Sequence, residues 1–239
     1  MTASKMMVEI WSDLTCPFCY IAKRKFESAL LQFKDAASIE IVWKSFEVAP
    51  GFITQPDNNM HQFLAGLKGI SLEQSIEISK QVADIAAQLG LVYNFHKAIP
   101  TNSFNAHRFS HFAKQHNLQD QAEERLYKAY FTEGSNIDNI PTLMQLGKEI
   151  GLAPSEVRHT LESNQYGDEV RQNIREGKQL GVTSVPHFVF DRKTKISGAQ
   201  DSSVFLGILE KTFAEWQLEN QRISPMVLEG QACKTEGDC

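Results

Sequence analysis

Strand-forming character is confined to the two ends of this chain, and that division limits its fold more than any other feature. Val8-Glu9-Ile10-Trp11 alternates apolar and polar as a half-buried strand does, and residues 38–46 alternate again. Between them, Tyr20, Phe26, Ala29, Leu30 and Phe33 fall at helical spacing, with Lys23, Arg24 and Lys25 on another face. Strand, helix and strand in series predict a right-handed βαβ unit with parallel strands. Strand character returns only at His187-Phe188-Val189-Phe190 and Lys195-Ile196-Ser197, which the polar turn 191–194 joins into a hairpin.

The long middle of the chain carries helical periodicity instead. Ser71-Leu72-Glu73-Gln74 is a capping box opening a helix that Gly90 closes. Further helices are predicted over 101–117, 119–132, 140–150, 155–164 and 167–180, each bounded by Gly, Pro or Asn, and a last one from Ser202 to about Asn220. The pattern therefore predicts one α/β domain assembled from residues 1–50 and 166–220, interrupted by an all-helical insertion over 51–165. Residues 221–239, rich in polar and small side chains, are expected to form a poorly ordered tail.

Bulk composition narrows the function. With 239 residues, 42% of them hydrophobic and 22% charged, the chain can bury a core without disulfide staples. A formal net charge of -5 gives no overall electrostatic drive toward nucleic acid or an anionic membrane surface. No apolar run reaches membrane-spanning length and the N-terminus lacks a signal-peptide core, so a cytoplasmic location is expected, with neither nucleic acid nor membrane as partner. Four cysteines are too few for a secreted disulfide scaffold. They are also oddly placed: Cys16 and Cys19 near one end, Cys233 and Cys239 at the other, and none between.

Cys16-Pro17-Phe18-Cys19 falls where the first strand gives way to the first helix. The first N–H groups of a helix have no intrahelical partner, and with the helix dipole they favour an anion such as a thiolate. Cys16 is thus expected to have a lowered pKa and to be the attacking sulfur, with Cys19 one turn further on and within reach of a disulfide. Pro17 suits the first helical turn, where its missing N–H costs nothing. A zinc site would need two more ligands and a tight turn around the first pair. Cys19 leads instead into an amphipathic helix, and the six-residue separation of Cys233 and Cys239 is wide for completing such a site.

Pro186 opens the second strand region, where a proline gives up only one ladder donor. Cys-Pro-Phe-Cys at a helix start together with Val185-Pro186 before a late strand resembles the thioredoxin fold, and the helical insertion makes the chain resemble its DsbA-type branch. Ser184-Val185-Pro186-His187-Phe188-Val189-Phe190, Ser197-Gly198-Ala199-Gln200 and Asn102-Ser103-Phe104-Asn105-Ala106-His107-Arg108 are similar to the cytoplasmic FrnE-like group. The resemblance spans residues 7 to about 220. It implies that Cys16 is the nucleophile and Cys19 the resolving thiol. It implies also that Val185-Pro186 is a cis peptide facing them, where the Val185 backbone pairs with an extended substrate and Phe18 contributes to the substrate surface. Asn102 and His107 are implied to lie near the cysteine pair. Periplasmic relatives carry His where this chain has Phe18, so a less stabilised thiolate and a more reducing couple are expected.

His107 and His111, spaced i and i+4, offer two metal ligands on one helix face but find no obvious third, so packing and lining of a cleft are expected of them and no metal is assigned. Asp13 and Glu40 are the candidates for a buried acid beneath the cysteines. The expected activity is that of a protein disulfide oxidoreductase, exchanging disulfides with protein or peptide substrates, with a cellular thiol reductant or oxidant as second partner. No cofactor is expected beyond the dithiol, with glutathione a candidate thiol donor. The alternative is a glutathione-dependent transferase or isomerase of the kappa or chromene-carboxylate isomerase type. An extended tail could reach about 40 Å from Asn220 to Cys233 at roughly 3.3 Å per residue, which makes Cys233 and Cys239 candidates for an auxiliary redox pair.

Overall fold

The computed structural model describes residues 4–223; the Cys233 and Cys239 pair and the expected tail lie outside the described residues. Four strands, β1 (Met6–Ser12), β2 (Ile39–Ser45), β3 (His187–Phe190) and β4 (Thr194–Ser197), form one sheet in the order β2-β1-β3-β4. β1 and β2 run parallel, from Met6 opposite Ile39 to Ser12 opposite Ser45. β3 lies antiparallel on the other edge of β1, with Phe188 opposite Ile10, and β4 returns antiparallel along β3.

Helices cover both faces of this sheet, which is why all four residues of β3 and the last five of β1 are buried. On one face, α1 (Pro17–Gln32) and α9 (Ser202–Ile223) pack together. Phe26 of α1 lies 5.3 Å from the Phe188 ring and 5.5 Å from that of Phe205, and Phe33 meets Phe213 edge-on at 5.3 Å. Such a ring contributes about 1.5–3 kcal/mol by burial alone. On the other face lies α8 (Gly167–Gln179), where the Trp11 Nε1 donates to the Asn173 carbonyl at 2.9 Å and the Asn173 Oδ1 accepts from Ser45 N at 3.2 Å.

The insertion contains α2 (Met60–Lys68), α3 (Leu72–Ala87), α4 (Phe104–Gln115), α5 (Gln119–Tyr127), α6 (Ile140–Glu149) and α7 (Pro154–Glu162). Its core, with Phe109, Leu126, Tyr127, Phe131 and Leu143 at the centre, also takes in Leu14, Cys19, Tyr20 and Ile21. α1 therefore serves two cores: Phe26 and Ala29 face the sheet while Cys19 and Tyr20 face the insertion. A charged clamp fixes the second contact. Buried Lys23 of α1 reaches Glu124 of α5 at 3.2 Å and Asp120 at 3.5 Å as well as its own neighbour Glu27.

Three local features depart from expectation. α2 lies where periodicity delimited no helix; Met60, Phe63, Leu64 and Leu67 make an apolar stripe only two turns long, opened by Asn59, whose side chain accepts from His61 N and Gln62 N. α4 begins at Phe104 with Ser103 as its cap residue, three residues later than the expected start at 101, because the polar side chains just before it tie down the loop and the helix start. Thr101 Oγ1 donates to Asn136, and Asn102 Nδ2 donates to the Phe52 carbonyl while its Oδ1 accepts from Phe104 N. The single helix expected over 119–132 changes to π winding at Lys128–Glu133, where Asn94 captures the carbonyls of Phe131 and Thr132 at 2.7 Å each. The capping box at Ser71 and Gln74 is present as expected, and the left-handed Gly90 follows α3.

Gly177 of α8 is fixed by close approach to the sheet. A Cβ there would lie 2.7 Å from Trp11 Nε1 and 2.9 Å from its Cδ1, and Trp11 is fully buried and hydrogen-bonded. Gly177→Ala is expected to destabilise the protein by about 1–3 kcal/mol, although alanine is the better helix former by roughly 0.5–1 kcal/mol. A urea titration should show a lower midpoint with an unchanged slope.

Candidate active site

The loop that leads β1 into α1 is shaped by one carboxylate. Fully buried Asp13 accepts from Thr15 N and Thr15 Oγ1 through Oδ1, at 3.0 Å each, and from Val48 N through Oδ2 at 2.6 Å. Its carbonyl accepts from Cys16 N at 3.0 Å. Asp13 so joins the loops leaving β1 and β2 and delivers the chain to α1 with Cys16 as N-cap residue and Pro17 in the first turn. Tyr93 Oη, from the insertion, donates to the Pro17 carbonyl at 2.7 Å and fixes that turn from the other side.

The two cysteines carry free thiols in contrasting surroundings: Cys16 is half-buried and Cys19 wholly buried. The Cys19 thiol donates to the Cys16 sulfur, and this bond, aided by the N–H groups of Cys19 and Phe18, draws the Cys16 pKa below the ordinary thiol value against burial and the Asp13 charge. Burial pushes Cys19 well up, and the same hydrogen bond and the Cys16 charge push it further. The helix-start argument thus holds for the direction at Cys16. The partner thiol, which sequence reasoning treated only as a resolving group, is the larger cause.

Val185-Pro186 is a cis peptide, and the Val185 carbonyl accepts from Cys16 Sγ at 3.6 Å, so this pair stands against the Cys16 sulfur across the end of the sheet. Phe18, 42% exposed, lies on the rim of a cleft of about 520 Å³ that also includes Cys16. The cleft walls are carbon: Met60 and Leu64 from α2, Val82 from α3, Phe95, and Phe131 from the π turn, with Lys68 the single charged group. None of these insertion residues was a sequence candidate. The apolar stripe of α2 was the available signal, since a two-turn helix cannot cover its own apolar face.

The remaining candidates lie away from the cleft wall. Asn102 holds the loop at Phe52 and Thr54 through its side chain and its N–H, and His107 is buried with Nε2 2.9 Å from the Phe46 carbonyl, its pKa lowered by burial. His111 Nε2 lies 3.2 Å from Ser45 Oγ, and burial followed by the charges of His107 and Lys114 brings its pKa down to about 4. Both rings are thus neutral packing groups between α4 and the end of β2. Glu40, one of the two acid candidates, points to solvent from β2, because the strand alternation turns it outward. Asp13 remains inside and raises both thiols by its charge.

Among known proteins, the family model described as DSBA-like thioredoxin domain matches residues 7–210. The uncharacterized protein YwbO of Bacillus subtilis (strain 168) is 30% identical over 200 residues, which cover 83% of this chain and 92% of that protein. The crystal structure of a probable DsbA oxidoreductase, SCO1869 from Streptomyces coelicolor, is 34% identical and covers 97% of both chains with a TM-score of 0.83. The cytosolic disulfide reductase DsbM from Pseudomonas aeruginosa, solved with GSH, shares the fold at 19% identity and a TM-score of 0.59, over 90% of this chain and 99% of that one.

Because the Cys19 hydrogen bond is the main support of a Cys16 thiolate, Cys19→Ala is expected to raise the Cys16 pKa. Iodoacetamide alkylation of Cys16 across pH should titrate below the ordinary thiol value of 9.0 in the native protein and closer to it in the variant.

Proposed function

The chain belongs to the DSBA-like thioredoxin-domain family, and from that premise and the geometry of its dithiol we propose that it is a thiol-disulfide oxidoreductase acting on protein or peptide substrates. The observation that carries this reading is the opposed environment of two thiols one helical turn apart. The accessible Cys16 is held toward thiolate while the buried Cys19 is held as thiol. A thiolate is the attacking species in disulfide exchange, and a protonated partner cannot attack prematurely. Cys16 then forms the mixed disulfide with substrate, and Cys19 resolves it.

The Val185 backbone, already facing the Cys16 sulfur, offers an extended substrate a place to pair, and the apolar cleft beside it suits an apolar side chain next to the substrate cysteine. Glutathione, with two carboxylates, would find one cation there, Lys68. It is accordingly the less suited thiol, although it remains the candidate reductant. The motifs at 102–108, 184–190 and 197–200 support placement in the FrnE-like group, and with it a cytoplasmic location. Among the described residues no helix is long and apolar enough to cross a membrane.

Insulin reduction tests the reading directly. Cys16→Ser should abolish turnover, and Cys19→Ser should accumulate mixed disulfide with substrate. Full turnover in Cys19→Ser with an absolute need for glutathione would instead assign the chain to the single-sulfur transferase or isomerase chemistry. Phe18 sets a second expectation. It supplies neither charge nor hydrogen-bond donor to the thiolate, so Phe18→His should stabilise the reduced form and raise the reduction potential, at about 30 mV for each tenfold change in the exchange equilibrium with glutathione.

A further inference from the structure

The cleft beside Cys16 has a chemical profile of its own. Its volume of about 520 Å³ lies within the range of small-molecule sites, about 300–1,000 Å³, which are mostly apolar with a few polar groups. Phe18, Val48, Leu67 and Ile78 are large exposed apolar side chains, and all of them line this one cleft. A contiguous exposed apolar surface marks a place where a ligand sits. The hydroxyls in the lining already donate to the protein: Thr15 Oγ1 to Asp13 at 3.0 Å, Ser79 Oγ to the Ser75 carbonyl at 2.8 Å and Tyr130 Oη to the Ile99 carbonyl at 3.2 Å. Lys68, at the end of α2, is exposed and takes part in no ion pair among the described residues. The cleft therefore offers a ligand carbon walls, one half-buried sulfur and one uncommitted cation.

We propose that this cleft binds the electron donor of the dithiol, and that the donor is an aliphatic dithiol whose apolar chain ends in a single carboxylate, the chain lying on the carbon walls and the carboxylate on Lys68. The proposal rests on the dithiol reading and deepens it by naming the class of the second partner. In the oxidised protein one donor thiolate attacks the Cys16 sulfur, since Cys19 is buried. The Cys16–Cys19 bond breaks with its electron pair on Cys19, which takes up a proton. The donor's second thiolate then attacks the donor sulfur bound to Cys16. That bond breaks with its electron pair on Cys16, and the donor leaves as a cyclic disulfide. Two electrons thereby pass to the protein, and the donor's two thiol protons are left on Cys19 and on Cys16 or, while Cys16 is a thiolate, in solvent.

Enclosure of the dithiol favours a donor that carries both thiols. With Cys19 buried and Cys16 covered by the first donor molecule, a monothiol needs a second molecule to reach Cys16 through an occupied cleft. A dithiol supplies the second thiol intramolecularly, at a high effective concentration. Glutathione must enter twice, and it sets two carboxylates and an ammonium against carbon with only Lys68 to meet them. A single carboxylate on an apolar chain leaves no charge unmatched. Because Lys68 stands in solvent, its ion pair selects the donor modestly, and the carbon contacts supply most of the affinity. Peptide substrate and donor use the cleft in turn, one in each half of the exchange.

Single-turnover reduction of the oxidised protein tests this, read by mass spectrometry as alkylation of the tryptic peptide of residues 6–23, which holds Cys16 and Cys19. The probes are dihydrolipoate, its neutral amide dihydrolipoamide, glutathione, and dithiothreitol, a dithiol with neither apolar chain nor carboxylate. The rate should saturate with dihydrolipoate, at a half-saturating concentration up to about fivefold below that of dihydrolipoamide, the most that an exposed ion pair supplies. In Lys68→Gln the two should coincide, and in Lys68→Glu their order should reverse. Leu67→Ser, at an exposed position, should raise both half-saturating concentrations. Rates that stay linear in both lipoyl probes, a gap between them that is missing in the native protein or survives in Lys68→Gln, or tighter saturation by glutathione each overturn the proposal while dithiothreitol still reduces the peptide. A Cys16–Cys19 disulfide that does not form, or that dithiothreitol does not reduce, would sink the dithiol reading itself.

Discussion

The hydrogen bond from the Cys19 thiol to the Cys16 sulfur depends on α1 being a wedge between two cores. One face of α1 packs Phe26 and Ala29 on the sheet, and the other buries Cys19 and Tyr20 in the insertion. Near the dithiol the chain stays open only around the helix start, from Thr15 to Phe18, and Cys16 is in that stretch while Cys19 is not. The chemical asymmetry between identical side chains is therefore a consequence of packing: the same three-residue spacing on a helix with one free face would leave both thiols wet and alike.

The insertion is accordingly more than an appendage to the α/β domain. It buries Cys19, fixes the first turn of α1 through Tyr93, anchors the helix through Lys23 and the acids of α5, and builds the carbon walls beside Cys16. An anion beside such walls lacks solvent, so its stabilisation falls to a few local donors, which act more strongly there than they would in water. Asp13 opposes them. Its carboxylate joins two loops with three hydrogen bonds and at the same time disfavours both thiolates, so loop geometry is secured at some loss of thiolate stability.

The parallel unit, the hairpin and the place of the cysteine pair were legible because they follow from local pattern: alternation in β1 and β2, a proline-opened β3, and a helix start at Cys16. What sequence could not supply was long-range pairing. Asn102 was expected near the cysteine pair, and its side chain ties the loop at Phe52 to the first N–H of α4; His107 looked like a cleft residue, and a backbone carbonyl at Phe46 holds it inside. Glu123 reads as an ordinary surface acid on a polar helix, since nothing local announces that Ser110 and the core will enclose it. Glu40 departs in the opposite sense, because the alternation of β2 turns it to solvent.

The causes of the Cys19 shift also order the reaction in time. Burial, the hydrogen bond it donates to Cys16 and the Cys16 charge together hold its proton in the reduced protein. When Cys16 enters a mixed disulfide, its negative charge is gone and its sulfur becomes a poor acceptor, so two of these three causes vanish in a single step. Burial and the smaller push of the Asp13 charge remain. In the exchange proposed above, the first step thus lowers the cost of deprotonating the second thiol, so that resolution is favoured once a substrate is covalently held. The sulfur that the core protects becomes reactive through the chemistry of its neighbour.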